Sequence, residues 1–129
     1  IFLDLDGFKN VNDNHGHLAG SGALVEVGAV IRNMVREIDV VCRFGGDEFT
    51  VILPKTGPEG ARIIADRIRC RLEETVFLEA FSLSVRLTAS FGIASFPDHT
   101  DSEKGLIQKA DEAMYRVKGS GKNAIAEAR

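Results

Sequence analysis

The 129-residue sequence has no tryptophan, one tyrosine, three prolines and only two cysteines. Cys42 and Cys70 are too few for a disulfide framework, and no His/Cys cluster surrounds them. They read as buried, reduced thiols in a cytosolic setting. No apolar run approaches the roughly 18 residues needed to cross a bilayer, and no signal peptide precedes the first apolar segment. A membrane anchor of the parent protein would lie outside this stretch. Neither sign of charge is in large excess, with 16 basic and 19 acidic residues and a formal charge of -3. That argues against a non-specific nucleic-acid binder, which needs surplus Lys and Arg to displace counterions from phosphates. A small phosphorylated ligand, needing only a few well-placed cations, stays open. Repeats, low-complexity tracts and linkers are absent as well, so one domain with one core is expected over residues 1–129.

What is present alternates between short apolar runs and helical periodicities. Ile1 to Leu5 reads as a buried strand, and because it starts at the first residue the native chain is expected to extend upstream. Phe8 to His15 suggests a short helix and a turn. Leu24, Val27, Ile31 and Met34 recur at helical spacing, giving a helix from about Gly20 to Val35. Val40 to Phe44 and Phe49 to Leu53 read as strands joined by Gly45-Gly46-Asp47-Glu48, a Gly-Gly hairpin signal. Thr56 and Glu59 have capping-box spacing before a helix carrying Ala61, Ile64, Ala65, Ile68 and Leu72 on one face. Strands are expected near Phe81–Val85 and Leu87–Ser95, with a bulge at Gly92. Thr100 and Glu103 repeat the capping-box spacing before a helix with Leu106, Ala110, Met114 and Val117 on its apolar face. An edge strand at Ala124–Ala126 closes the chain. The order β-α-α-β-β-α-β-β-α-β, dominated by hairpins, favours an α+β layer with an antiparallel-rich sheet over a doubly wound fold.

Two carboxylate motifs interrupt apolar strands, where charge is costly without a partner. Asp4 and Asp6 lie two apart and so project to one face of a strand. Asp47 and Glu48 sit at the hairpin tip. Hard divalent ions such as Mg2+ prefer carboxylate oxygens shared with substrate phosphates, so two such motifs on neighbouring strands would suit metal-assisted phosphoryl or nucleotidyl transfer. Each motif taken alone is also ordinary turn chemistry.

Five ordered blocks extend this pattern along the whole chain. They are Asp4-Leu5-Asp6-Gly7-Phe8-Lys9-Asn10-Val11-Asn12-Asp13, Gly16-His17-Leu18-Ala19-Gly20, Arg43-Phe44-Gly45-Gly46-Asp47-Glu48-Phe49, Ala89-Ser90-Phe91-Gly92-Ile93-Ala94, and Ala110 through Lys118. Together they resemble the GGDEF family of diguanylate cyclases, lacking the start of the domain. The resemblance implies a palm-like fold of the nucleotide-cyclase, ferredoxin-like kind. It implies condensation of two GTP into cyclic di-GMP with Mg2+ or Mn2+, in a homodimer whose two domains each hold one GTP. The metal ligands would be Asp4, the Leu5 carbonyl and Asp47, and Asp47 or Glu48 would help deprotonate the attacking 3′-hydroxyl. Gly7, Phe8, Lys9, Lys118 and Lys122 correspond to triphosphate-binding positions, and Asn12, His17 and Ser21 to guanine-binding ones. The family expects Asp where Ser21 stands, and often Arg where Lys122 stands. Arg36 and Asp39 have the spacing of the family's inhibitory R-x-x-D site for cyclic di-GMP, with Arg67 as a further contributor.

Two functions follow from this resemblance: an active cyclase, or a regulatory module that binds GTP or cyclic di-GMP. The second is motivated by Ser21 and by possible attachment to a sensor or phosphodiesterase domain. A nucleic-acid polymerase or nuclease palm is disfavoured by the acidic balance and the lack of an extended basic, aromatic-rich face.

Overall fold

A computed structural model describes residues 1–129. At its centre lies strand β1 (Phe2–Asp6), flanked by two antiparallel neighbours, β3 (Glu48–Ile52) and β4 (Thr88–Ile93). Strand β2 (Val40–Gly45) pairs with β3 as a hairpin, and β5 (Ile125–Glu127) joins β4 in parallel, giving the order β2-β3-β1-β4-β5. The antiparallel-rich α+β architecture expected from the hairpins is what forms, with one parallel pair at the β5 edge.

Strand alternation divides the side chains between two layers. Leu3, Leu5, Phe49, Val51, Ala89, Phe91 and Ile93 face the main core. There they meet α2 (His17–Met34) through Ala23, Val27 and Ile31, and α3 (Pro58–Glu74) through Ala65, Ile68 and Leu72. The even-numbered residues of β1 face the other way, where Phe2 packs with Ala110 and Met114 of α4 (Glu103–Lys118). The polar pair Asp4 and Asp6 therefore lies on the α4 side, as a spacing of two requires. A short helix α1 (Phe8–His15) follows β1 directly. Gly7 turns the chain between them at φ 69°, a left-handed conformation that favours glycine.

Several sequence expectations are corrected. No strand forms over Phe81–Val85. A 3-10 turn at Glu79–Phe81 replaces it, and only Val85 makes a bridge, to Phe77. The cause is tertiary: Phe77 and Leu78 are fully buried, and the Glu26 carboxylate accepts the Leu78 N–H at 3.1 Å, fixing Leu78 at φ 66°. Neither predicted capping box forms. Helix α3 has Gly57 at its N-cap and Pro58 in its first turn, while the Thr56 hydroxyl donates to the Pro54 carbonyl at 3.0 Å. Helix α4 is capped by Ser102, whose hydroxyl accepts the Gly105 N–H at 3.0 Å. Gly92 makes no bulge. It stays in register opposite Phe2, and its missing side chain lets the α4 backbone rest on the strand. The cysteines are not buried either: Cys42 is exposed and Cys70 half-buried, both with free thiols.

Candidate functional site

The strand-to-helix turn after β1 and the tip of the β2–β3 hairpin meet at one end of the sheet. Asp4 stands opposite Glu48 in the β1–β3 register, and the Leu5 N–H donates to the Asp47 carbonyl at 3.1 Å. A two-residue turn, Gly46-Asp47, closes the hairpin, and the ladder shifts register between Arg43 and Gly45. Gly45 leaves room for the Glu48 carboxylate, whose Oε1 lies 2.7 Å from where a Cβ would stand. Burial raises the pKa of Asp4, and the carboxylates of Asp47 and Glu48 push it further up. The Lys118 ammonium opposes them, and the result is about 6. Asp4, with the Asp47 and Glu48 carboxylates near enough to disfavour its charge, offers oxygen atoms of the kind that hard divalent cations take. No group of three His, Cys, Asp or Glu side chains is arranged here to hold a metal ion by itself.

Beside this set a cavity of about 340 Å³ opens, lined by Phe8, Lys9, Asn12, His17, Gly20, Ser21, Leu24, Arg43, Gly46 and Asp47. Lys9 and the three expected guanine-binding residues thus share one cavity with the Asp47 turn. Arg43 joins them unassigned by sequence, although it stands in the Arg43–Phe49 block. Its Nε donates to the Gly46 carbonyl at 3.0 Å, bracing the turn. Gly7 is exposed at the turn, while Phe8 is largely buried in the core beside the cavity.

Lys118 reaches the site from the last turn of α4. Its Nζ donates to Asp6 Oδ1 at 2.8 Å and to the Leu5 carbonyl at 3.0 Å, and lies 3.7 Å from Asp4 Oδ1. Asp6, which the sequence pairs with Asp4 as a metal-suited carboxylate motif and the family resemblance leaves unassigned, is a hub of hydrogen bonds. It also accepts the Thr88 and Ser90 hydroxyls, each at 2.7 Å, and the Asn123 N–H at 3.1 Å. Burial alone would raise its pKa, yet the hydrogen bonds from Lys118, Thr88 and Ser90 hold it below the usual carboxylate value. No local signal marks them: Thr88 and Ser90 meet Asp6 because the register sets them opposite Asp6 and Asp4 on β1. Lys122 is exposed, on a left-handed residue at φ 62° just before Asn123.

Arg36 and Asp39 pair with each other at the α2–β2 junction. The Arg36 Nη2 donates to Asp39 Oδ1 at 2.8 Å, and the Arg36 backbone N–H to Oδ2 at 2.7 Å. Arg36 also donates to the Thr56 hydroxyl at 2.8 Å, and Arg32 to the Asp39 carbonyl at 2.7 Å. Asp39 is 2% exposed, whereas the Arg36 side chain remains 47% exposed. Arg67 is not brought to this pair. It lines a separate cavity of about 1000 Å³ with Arg62, Asp66, Arg69 and Asn123. Hydrogen bonds from Arg36 outweigh burial and lower the Asp39 pKa below its usual 3.8. Stability drawn from that carboxylate is therefore full above about pH 5 and is lost as pH falls through 3.8 towards the lowered value. Thermal melts of wild type and Asp39→Asn across a pH series should show a stability gap at neutral pH that closes below about pH 4.

The chain is similar along nearly its full length to proteins already characterised. A family model described as diguanylate cyclase, GGDEF domain, matches residues 1–124. Diguanylate cyclase A of Treponema denticola is 36% identical over 125 residues, covering 97% of this chain and 33% of that protein. The chain thus spans about a third of that relative's length. Among solved structures, the GGDEF domain of YfiN (TpbB) from Pseudomonas aeruginosa superposes with a TM-score of 0.91 at 35% identity. That match covers 99% of this chain and 80% of that one. The GGDEF domain of DgcB from Caulobacter crescentus, solved in complex with c-di-GMP, gives 0.88 at 27% identity over 98% of this chain and 74% of that one. The Asp4–Asp47–Glu48 cluster thus sits on a fold shared with these domains, and the chain belongs to the diguanylate cyclase GGDEF-domain family.

Proposed function

We propose that this chain is the catalytic domain of a diguanylate cyclase, joining two GTP molecules into cyclic di-GMP. The observation that carries the reading is the convergence of Asp4, Asp47 and Glu48 beside the cavity holding Asn12, His17 and Ser21. Asp4, the Leu5 carbonyl and Asp47 are the residues that would hold Mg2+ or Mn2+. Such an ion, when bound, supplies Lewis-acid neutralisation at the α-phosphate and a lowered pKa for the attacking hydroxyl. The chain's own residues do the rest. Lys9, Lys118 and Lys122 offer ammonium groups to the triphosphate, with the backbone of Gly7 and Phe8 at the α1 start. Asp47 or Glu48, at the open hairpin tip, accepts the proton leaving the 3′-hydroxyl. Asn12, His17 and Ser21 meet the guanine. One domain presents one nucleotide, so two copies must face each other: each 3′-oxygen attacks the α-phosphorus of the other GTP, the α–β phosphoanhydride bond breaks, and one pyrophosphate leaves for each phosphodiester bond formed.

Incubation of the full-length protein with GTP and Mg2+, followed by chromatography for cyclic di-GMP, tests this reading; no product at high protein concentration would sink it. Cyclic di-GMP is also read as an inhibitor at Arg36, with Asp39 holding the guanidinium; Arg67, on its separate cavity, is not counted among the contacts. Loss of product inhibition in Arg36→Ala checks that part.

Ser21 favours a second reading, a module that binds GTP or cyclic di-GMP and regulates an attached domain. An aspartate at this position accepts two hydrogen bonds from the N1–H and N2–H edge of guanine, which a serine hydroxyl replaces only in part. Ser21→Asp is expected to tighten GTP binding by roughly 10- to 150-fold, the worth of one charge-assisted hydrogen bond. Calorimetry with GTP measures it. A wild-type protein that binds nucleotide without turnover, and gains turnover in the variant, would place the native chain among the regulatory modules.

A further inference from the structure

We propose that Asp6 is the positioning residue that aims the Lys118 ammonium at the triphosphate, with Thr88 and Ser90 holding Asp6 in turn. The inference rests on the reading of Lys118 as a triphosphate-binding residue and concerns how it is placed.

Asp6 shares a strand face with Asp4, so alternation alone would make it a second metal ligand. Its hydrogen bonds argue otherwise. Oδ2 accepts the Thr88 hydroxyl and the Asn123 N–H, and Oδ1 accepts the Ser90 hydroxyl and Lys118. An ionised carboxylate offers about four lone-pair sites, and four donors occupy them. The Asp6 side chain is also only 7% exposed, against 22% for Asp4. Asp4 keeps oxygens free for an ion, while Asp6 is committed to the protein.

Those commitments converge on Lys118. Lys118 is held by Asp6 and the Leu5 carbonyl, which use two of its three N–H donors. The distance of 3.7 Å to Asp4 is too long for a hydrogen bond, so the third N–H can turn to an incoming phosphate oxygen. The same carboxylate also fixes the Asn123 amide, next to Lys122 in the turn that follows α4. A flexible lysine fixed in advance loses less rotamer freedom when the phosphate arrives.

The test uses Asp6→Asn, Lys118→Met and the double variant, each titrated calorimetrically with Mg2+ and either 3′-deoxy-GTP, which cannot cyclise, or GMP. Asp6→Asn should weaken 3′-deoxy-GTP binding by about tenfold or more, the loss of one charge-assisted contact, while GMP binding changes by less than about threefold. The double variant should bind 3′-deoxy-GTP no worse than Lys118→Met alone. Additive losses, equal weakening of both nucleotides, or no change would overturn the proposal. A wild-type protein that takes up neither nucleotide would instead remove the GTP reading. The placement would then be decided by amide exchange at Asn123, which Asp6→Asn must accelerate at least about tenfold and which, if unchanged, refutes it. Should Asp6→Asn fail to fold, Thr88→Val and Ser90→Ala each remove one donor to Asp6 and must weaken triphosphate binding in the same selective way.

Discussion

Asp47→Asn is expected to reduce cyclic di-GMP formation by about three orders of magnitude or more, while the melting temperature stays close to wild type. Metal-assisted charge neutralisation is worth several kcal/mol of transition-state stabilisation, and each 1.36 kcal/mol is tenfold in rate. Asparagine keeps the size of the side chain and removes the charge that makes it a ligand for a hard cation. The fold should not notice. Asp47 sits in the two-residue turn of the hairpin; its backbone carbonyl keeps the Leu5 N–H bond after substitution, and asparagine removes the charge that opposes ionisation of Asp4. Product measured by chromatography, with a thermal melt of the same sample, checks both halves. Residual turnover above a tenth of wild type would mean that this carboxylate is not part of the machinery.

A comparably large effect, on stability, is expected from Gly92→Ala. A Cβ at Gly92 would stand 1.9 Å from the Ala110 carbonyl oxygen and 2.4 Å from the Met114 nitrogen. Both atoms belong to the α4 backbone, so no rotamer change relieves the clash, and the helix must lift from the sheet. Overpacking costs typically 1–3 kcal/mol and more where backbone has to move, or roughly 10 °C in melting temperature for a domain of this size. Lys118 rides on the same helix, so GTP binding should weaken as well. Gly28→Ala provides the comparison: its Cβ would meet only Phe49 Cε2, at 3.8 Å, inside helix α2. That variant is expected to be neutral, or stabilised by up to about 1 kcal/mol through helix propensity. A Gly92→Ala protein as stable as Gly28→Ala would contradict the close seating of α4 on β4.

The parts of this fold visible in the sequence are those whose signal is local. Strand β1, the β2–β3 hairpin and the long helices follow from apolar periodicity and a Gly-Gly tip. The same alternation correctly put Asp4 and Asp6 on one face. Residues 77–85 misled, because Phe81 to Val85 looks like a strand until Leu78 is pinned by Glu26, 52 positions away. The capping boxes failed by one or two residues, since Pro58 and Ser102 compete for the starts of their helices. At the site, the acidic residues were legible because charge inside apolar strands needs a reason. The hydroxyls of Thr88 and Ser90 were not, because serine and threonine in a strand are unremarkable until a partner more than 80 positions away faces them. Cys42 was misjudged for a related reason: an average preference for burial says nothing about which face of β2 a residue occupies.

The alternation along β1 has a consequence for how this segment tolerates change. Its five residues carry two interleaved messages: Leu3 and Leu5 specify volume for one layer, and Phe2, Asp4 and Asp6 specify contacts and chemistry for the other. Such a strand behaves like text with a reading frame. Substitutions in the odd register need only fill space. Removing one residue between Phe2 and Asp6 would shift the frame, sending carboxylates into the hydrocarbon layer and leucines to the end of the sheet where the charges belong. Length, more than the identity of any single letter, is the property this strand cannot vary.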